Sequence, residues 1–369
     1  PSAPLVSKEI ETDFNRRQNV QNMPRFSSFT RIVATAAGFL LLGVLYLWND
    51  QTILKPVTLS PLDSTLFLDE HLQVAALQHV RLDLIRDLIC GHALKDLTYK
   101  SGAKQLSNLV ARPYEPEERL YGSGWPVLAV SMAGCKRLDN IRALITAIQQ
   151  REIPGDFLEA GVWRGGVSIF ARSVFDVLGN SNRKVYVADS FEGLPKSQNV
   201  HDTDSWSEME YLSVSMQDVR ENFKKFGALH NVEFVKGYFH ESLPKLRQRD
   251  MSLCLLRLDG DMYQSTADGL YNLYDKVQIG GYVIIDDWAI GNARKAVKDF
   301  WNLHGVVEEI IPIDHGAVYF EITRTIERIK YEHYLKFATQ TSTKNNKLLM
   351  KASPKNIQNA NWMAKCKKY

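Results

Sequence analysis

The chain has 369 residues, 45% hydrophobic and 24% charged, a globular balance with room for one large core plus appendages. A net charge of +3 is too small for a nucleic-acid binder, so no nucleic-acid partner is expected. Four cysteines (Cys90, Cys135, Cys254 and Cys366) show neither CxxC spacing nor a dense framework, and so indicate neither a zinc site nor a disulfide scaffold.

In chain order, residues 1–31 read as a polar cytosolic tail. Residues 32–48 are uncharged and mostly apolar, and are predicted to form a transmembrane signal anchor. Tyr46 and Trp48 suit one interface, and Arg31 marks the other. Lys8, Arg16, Arg17, Arg25 and Arg31 precede the segment, whereas only Lys55 follows it before Arg81. The positive-inside rule then gives a single-pass type II protein of the ER or Golgi with its catalytic part lumenal. A cleaved signal peptide lacks a small-x-small site here, and Glu9, Glu11 and Asp13 spoil a transit peptide. A buried core helix is the plain alternative.

Residues 49–114 form a stem and helical extension, with FLDEHLQVAALQHVRLDLIRDLI apolar at three- and four-residue spacing. A helix is predicted over 137–151. From 156 the pattern alternates: strand 157–159, helix 167–178, strand 184–188, helix 216–226, strands 232–235 and 253–258, helix 265–276, strand 281–285, helix 293–303. Residues 306–311 and 317–322 read as a closing antiparallel pair. Repeated strand-then-helix units predict an α/β, Rossmann-like, mostly parallel sheet that is doubly wound, with helices on both faces. Residues 323–369 form a basic tail, read as a solvated end, with anionic lipid or a partner as alternatives.

The apolar strands end in acids: Glu159, Asp189, Asp259 and the pair Asp286-Asp287. Ligands of open α/β sheets sit beyond the carboxyl ends of the strands, so these acids are expected to converge. A single acid there would be an ordinary cap. The turn EAGVWRGG places Gly161 for a tight bend and Gly165-Gly166 for close backbone approach. It is neither GxGxxG nor GxxxxGK[ST], which counts against a dinucleotide cradle and excludes a P-loop. Asp189 is placed to bond a ribose diol, and Glu159 to face a cationic group. An acidic rim suits the sulfonium of S-adenosylmethionine (SAM) better than a pyrophosphate. Asp259, Asp286 and Asp287 offer hard oxygens suited to Mg2+, and no His or Cys joins them as zinc would require. A cation of that kind would activate an alcohol, with Asp259 as base and ligand and Asp261 in reserve. Helix capping by Asp286-Asp287 is the plain alternative.

Seven blocks in order resemble the macrocin O-methyltransferase (TylF-type) family: GWPVLAVSMAGCKRLDNI (124–141), GDFLEAGVWRGG (155–166), VYVADSFEGLP (185–195), LSVSMQDVRENFKKFG (212–227), KGYFHESLP (236–244), LRLDGDMYQST (256–266) and GGYVIIDDW (280–288). The resemblance runs from about residue 115 to 322, which it marks as the methyltransferase domain. It implies a seven-stranded class I methyltransferase fold. It also implies that Glu159, Gly161, Asp189 and Ser190 contact SAM, with Trp163, Gly165 and Gly237 completing the set and Tyr238-Phe239 near the adenine. Asp259, Asp286 and Asp287 would hold the metal, and 201–211 would be a lid over the acceptor, with no role assigned to His201. The acceptor is then a sugar-like or small-molecule hydroxyl, on a glycan, glycolipid or glycosylated metabolite. A catalytically silent SAM-binding scaffold and an NAD-dependent oxidoreductase are the competing readings. A homo-oligomer is compatible with all of them.

Overall fold

The computed structural model describes residues 70–100, 104–197, 200–202 and 206–334. The predicted anchor, the polar tail before it and most of the basic tail lie outside these residues. Among the described residues no helix is long and apolar enough to cross a membrane.

Helix α1 (Glu70–Ile89) leads into a small antiparallel sheet, with β1 (Thr98–Tyr99) between β2 (Ala111–Arg112) and β3 (Trp125–Pro126). Helix α2 (Pro116–Tyr121) separates β2 from β3, and α3 (Cys135–Gln150) follows. The central sheet then alternates: β4 (Asp156–Ala160), α4 (Gly166–Val177), β5 (Val185–Asp189), α5 (Met216–Lys225), β6 (Val232–Lys236), α6 (Phe239–Arg247), β7 (Leu253–Leu258), α7 (Tyr263–Leu273), β8 (Val277–Ile285), α8 (Gly291–His304), β9 (Ile311–Pro312) and β10 (Val318–Glu321). Its order is β6-β5-β4-β7-β8-β10-β9. The strands from β4 to β8 pair in parallel, while β10 runs antiparallel to β8 and to β9. This is the mostly parallel seven-stranded sheet that was expected.

Strand periodicity builds the two layers. Phe157, Val185, Val187, Leu255 and Ile284 join α3, α4 and α5 in one apolar cluster. Their alternates Leu158, Tyr186, Leu256 and Val283 join α6, α7 and α8 in another. Successive strand side chains point to opposite faces, so a sheet covered on both sides needs an unbroken apolar run. LCLLRL of β7 is that run but for Arg257, and every residue in it is buried. Register then sets the site. Ala160 pairs with Ala188 and with Leu258, and Leu258 pairs with Ile285. The residues just past these pairs therefore leave the sheet side by side.

Three local expectations change. Helix α6 was not predicted, because Pro244 inside it reads as a stop; a proline removes one helical hydrogen bond but leaves the flanking turns intact. Of the strand expected over 306–311, only Ile311 lies in a strand, β9. Nearby, Glu308 turns inward, and Thr323 donates its hydroxyl to Glu308 Oε1 at 3.1 Å. Part of the helical extension is the small sheet, held by Asp96 Oδ2, which accepts from the amides of Leu128 and Ala129 at 2.8 Å each.

Candidate active site

The carboxyl ends of β4, β5, β7 and β8 open on a cavity of about 230 Å3. Of the residues singled out from the sequence, Gly161, Trp163, Asp189, Ser190, Tyr238, Phe239, Asp259, Asp286 and Asp287 line it. Glu159, Gly165 and Gly237 are not among its lining residues.

On the cofactor side, the chain leaves β4 at Gly161 with φ +93°, and a Cβ there would lie 1.6 Å from the carbonyl oxygen of Asp259. Only glycine allows the β4 turn to cross that close to the end of β7. Asp189 braces this turn. Its Oδ2 accepts from Val162 N at 2.8 Å and its Oδ1 from Phe191 N at 2.8 Å. Burial pushes its pKa up, opposed by these backbone donors. The expected ribose contact would therefore use the remaining lone pairs of a carboxylate already fixed in place. Ser190 donates to Gly193 O at 2.6 Å and fixes the next turn.

Glu159 sits behind the cavity wall. It is 1% exposed and faces inward, where it meets the guanidinium of Arg257 and the hydroxyl of Ser168. The cationic neighbour it has within the chain is Arg257. Burial drives its pKa up to about 7 despite the pull of Arg257.

The metal side is a network of buried charge. Asp259, Asp286 and Asp287 each present an oxygen within 4.8 Å of the others. Arg257 Nη2 lies 2.8 Å from Asp259 Oδ2 and 2.6 Å from Asp286 Oδ1. The second contact is close but poorly directed, and Asp286 Oδ1 receives no hydrogen bond. Arg137 of α3 reaches Asp286 Oδ2 and is held from behind by Asp314 Oδ2 at 2.8 Å. Asp287 Oδ2 accepts from Asp261 N at 2.7 Å. Burial and the neighbouring acids Asp261, Asp259 and Asp286 push Asp287 well above the usual carboxylate range. Burial pushes Asp259 up to about 6, with Arg257 pulling the other way. Carboxylates outnumber guanidiniums in this network, and a buried surplus of negative charge is costly unless a proton or a cation offsets it. A donor set of oxygens alone, one of them buried without a hydrogen bond, fits a hard divalent cation.

Across the cavity from these acids, part of the wall comes from the segment that precedes the central sheet. Gly122, Trp125 and Met132 line the cavity. Trp125 stacks on Tyr211 with centroids 4.9 Å apart and planes 7° from parallel. The Trp163 indole donates to Tyr211 O at 2.9 Å. Trp206 and Leu212, from and next to the expected lid, also line the cavity. Glu210 N donates to Lys104 O at 2.9 Å, which ties the lid to the extension. His201 lies against Tyr263, centroids 4.6 Å apart, and its neighbour Asp202 caps α7 by accepting from Tyr263 N at 2.7 Å.

Sequence reasoning missed Arg257, Arg137, Asp268 and the aromatic pair Trp125 and Tyr211. The signal for Arg257 was present: a lone charge inside the apolar run LCLLRL, two residues before Asp259, must find a buried partner. Arg137 and Trp125 carried no such signal, because only the tertiary fold brings them to the strand ends.

Comparison with known proteins agrees with this geometry. The family described as macrocin-O-methyltransferase (TylF) matches residues 69–322, an earlier start than the quoted motifs implied, which takes in α1 and the small sheet. The chain is 38% identical over 252 residues to the 8-demethyl-8-(2,3-dimethoxy-alpha-L-rhamnosyl)-tetracenomycin-C 4'-O-methyltransferase of Streptomyces olivaceus, covering 67% of this chain and 95% of the relative. It is 35% identical over 247 residues to the mycinamicin III 3''-O-methyltransferase of Micromonospora griseorubida, covering 65% and 94%. The solved structure of the O-methyltransferase NovP superposes with a TM-score of 0.61 at 35% identity, covering 67% of this chain and all of that one.

Proposed function

This chain belongs to the macrocin-O-methyltransferase (TylF) family and is a SAM-dependent O-methyltransferase, and on that premise we propose that it methylates a sugar hydroxyl with the help of a divalent cation, Mg2+ by preference. The observation that carries the metal is the convergence of Asp259, Asp286 and Asp287 within 4.8 Å, at the mouth of the cavity that the Gly161–Asp189 turn also lines. The named relatives support a sugar hydroxyl as acceptor, since one acts on a rhamnosyl-bearing compound.

SAM, when bound, supplies a methyl group on an electrophilic sulfonium. Asp259, Asp286 and Asp287 would hold the cation, whose Lewis acidity would lower the pKa of an acceptor hydroxyl. The rest falls to this chain. The turn at Gly161, braced by Asp189, holds the donor against the end of β4. Asp259, with its Oδ2 steadied by Arg257, would take the proton of the acceptor hydroxyl. Trp125, Trp163 and Trp206 exclude water and orient the acceptor ring. Holding oxygen and methyl carbon at roughly 3 Å removes much of the entropic cost of a two-body reaction.

We further propose that residues 32–48 anchor the protein as a type II membrane protein with this site lumenal, on the strength of the basic residues that precede the apolar run. An acceptor on a glycan or lipid-linked sugar suits that placement. The test is methyl-labelled SAM incubated with the full chain, Mg2+ and a set of rhamnosides and other free deoxyglycosides. Label recovered in a methyl ether of the sugar supports the reading. Simple phenols are run in parallel, and turnover on them with none on any sugar overturns it.

A further inference from the structure

Helix α7 starts close behind Asp259. Gly260 packs so tightly that a Cβ would come within 2.7 Å of Ser265 Cβ and 3.2 Å of the Phe239 ring. This closeness lays the first two turns of α7 along the cavity wall. Gln264 and Asp268 stand one turn apart on the same helical face, and both line the cavity. Asp268 is 2% exposed. Its Oδ1 accepts from Gln264 Nε2 and from Tyr334 OH, each at 2.7 Å. Among the described residues nothing donates to its Oδ2. Burial pushes its pKa up to about 7.

Buried polar groups are paired by protein or by ordered water. Here one oxygen is fixed twice and the other is left for something the protein does not supply. The proton abstraction assigned to Asp259 does not use it, and neither does the Asp259–Asp286–Asp287 cluster. Tyr334, one of the two fixing groups, lies beyond residues 69–322, so the C-terminal segment of this chain helps to build the wall.

We propose that Asp268 reads the acceptor: its Oδ2 takes a hydrogen bond from a hydroxyl other than the one methylated, while Gln264 and Tyr334 hold the carboxylate in place. The acceptor class is then a sugar ring with at least two free hydroxyls, and an isolated alcohol is discriminated against. Asp268 is the specificity-determining residue, and Tyr334 is a positioning residue. A site built to bond a hydroxyl rejects the analogue that lacks it, because its own buried group is left unpaired. This inference rests on the sugar-acceptor reading and narrows it.

The test uses the full chain with SAM and Mg2+, on methyl α-L-rhamnopyranoside and its mono-deoxy analogues. In the wild type, one analogue that is still methylated should show a KM raised ~10- to 100-fold over the parent, the range for a hydrogen bond to a charged group. Asp268→Ala should raise KM for the parent by a similar factor with kcat little changed, and should erase the penalty for that analogue. Tyr334→Phe should give a smaller rise of the same kind, and carries the comparison if the alanine variant does not fold. A KM penalty in Asp268→Ala that is equal for all analogues, or a loss confined to kcat, overturns the proposal. If the wild type binds SAM yet methylates no sugar, the sugar reading fails and this proposal with it. If it methylates the parent but no analogue shows a penalty that depends on Asp268, this proposal alone fails.

Discussion

The two halves of the cavity are held by different physics. The cofactor half, at the ends of β4 and β5, is built from backbone: a glycine at φ +93° and a carboxylate, Asp189, that accepts main-chain hydrogen bonds. The acid half, at the ends of β7 and β8, is built from buried charge, with Arg257 at 2% exposure touching Glu159, Asp259 and Asp286 together. The first kind of construction depends on shape and little on charge state. The second depends on which groups carry protons or cations. The shape-built half should therefore fail through sterics and the charge-built half through lost neutralisation.

Gly161→Ala should break the first half most severely. Its Cβ would overlap the carbonyl of Asp259, so SAM affinity by calorimetry should be lost along with most soluble protein. Arg257→Leu should break the second half at a cost of ~3–5 kcal/mol in urea unfolding, because it leaves buried acids without their counter-charge. Adding Glu159→Gln to that variant should recover part of the loss, whereas a purely steric role for Arg257 would give no recovery. Asp189→Asn should cost ~1–3 kcal/mol, since the amide keeps only one acceptor oxygen for the turn. The same change should weaken SAM binding and leave divalent-cation affinity alone. A pH-dependent effect of comparable size concerns Asp268. Its folded pKa of about 7 lies above the ordinary 3.8, so between those values the folded chain keeps a proton that the unfolded chain has released. Stability falls as pH rises through that window. Asp268→Asn does not titrate, so its melting temperature should drop less than the wild type's between pH 4 and 7, by roughly a few degrees.

The same contrast explains what could be read from the sequence. Acids and glycines at strand ends are local features. Gly161, Asp189, Asp259 and Asp286-Asp287 were legible because each follows an apolar strand and the parallel register lines up their exits. The charge network was less legible, because a side chain's partners across the sheet are tertiary facts. Nothing in the local pattern around Glu159 announced its buried pairing with Arg257. Helix α6 was hidden by Pro244. The small sheet was hidden because its strands are two residues each, too short to show alternation.

The account turns on Asp259, Asp286 and Asp287 sharing one divalent cation that methyl transfer requires. Calorimetric titration of Mg2+ into metal-stripped protein, run beside a methyl-transfer assay with and without excess EDTA, tests this directly. The account predicts one site per chain, lost in Asp259→Ala while SAM still binds, and turnover that stops with chelator and returns with Mg2+. Undiminished turnover in excess EDTA, from protein that takes up no Mg2+, would contradict it.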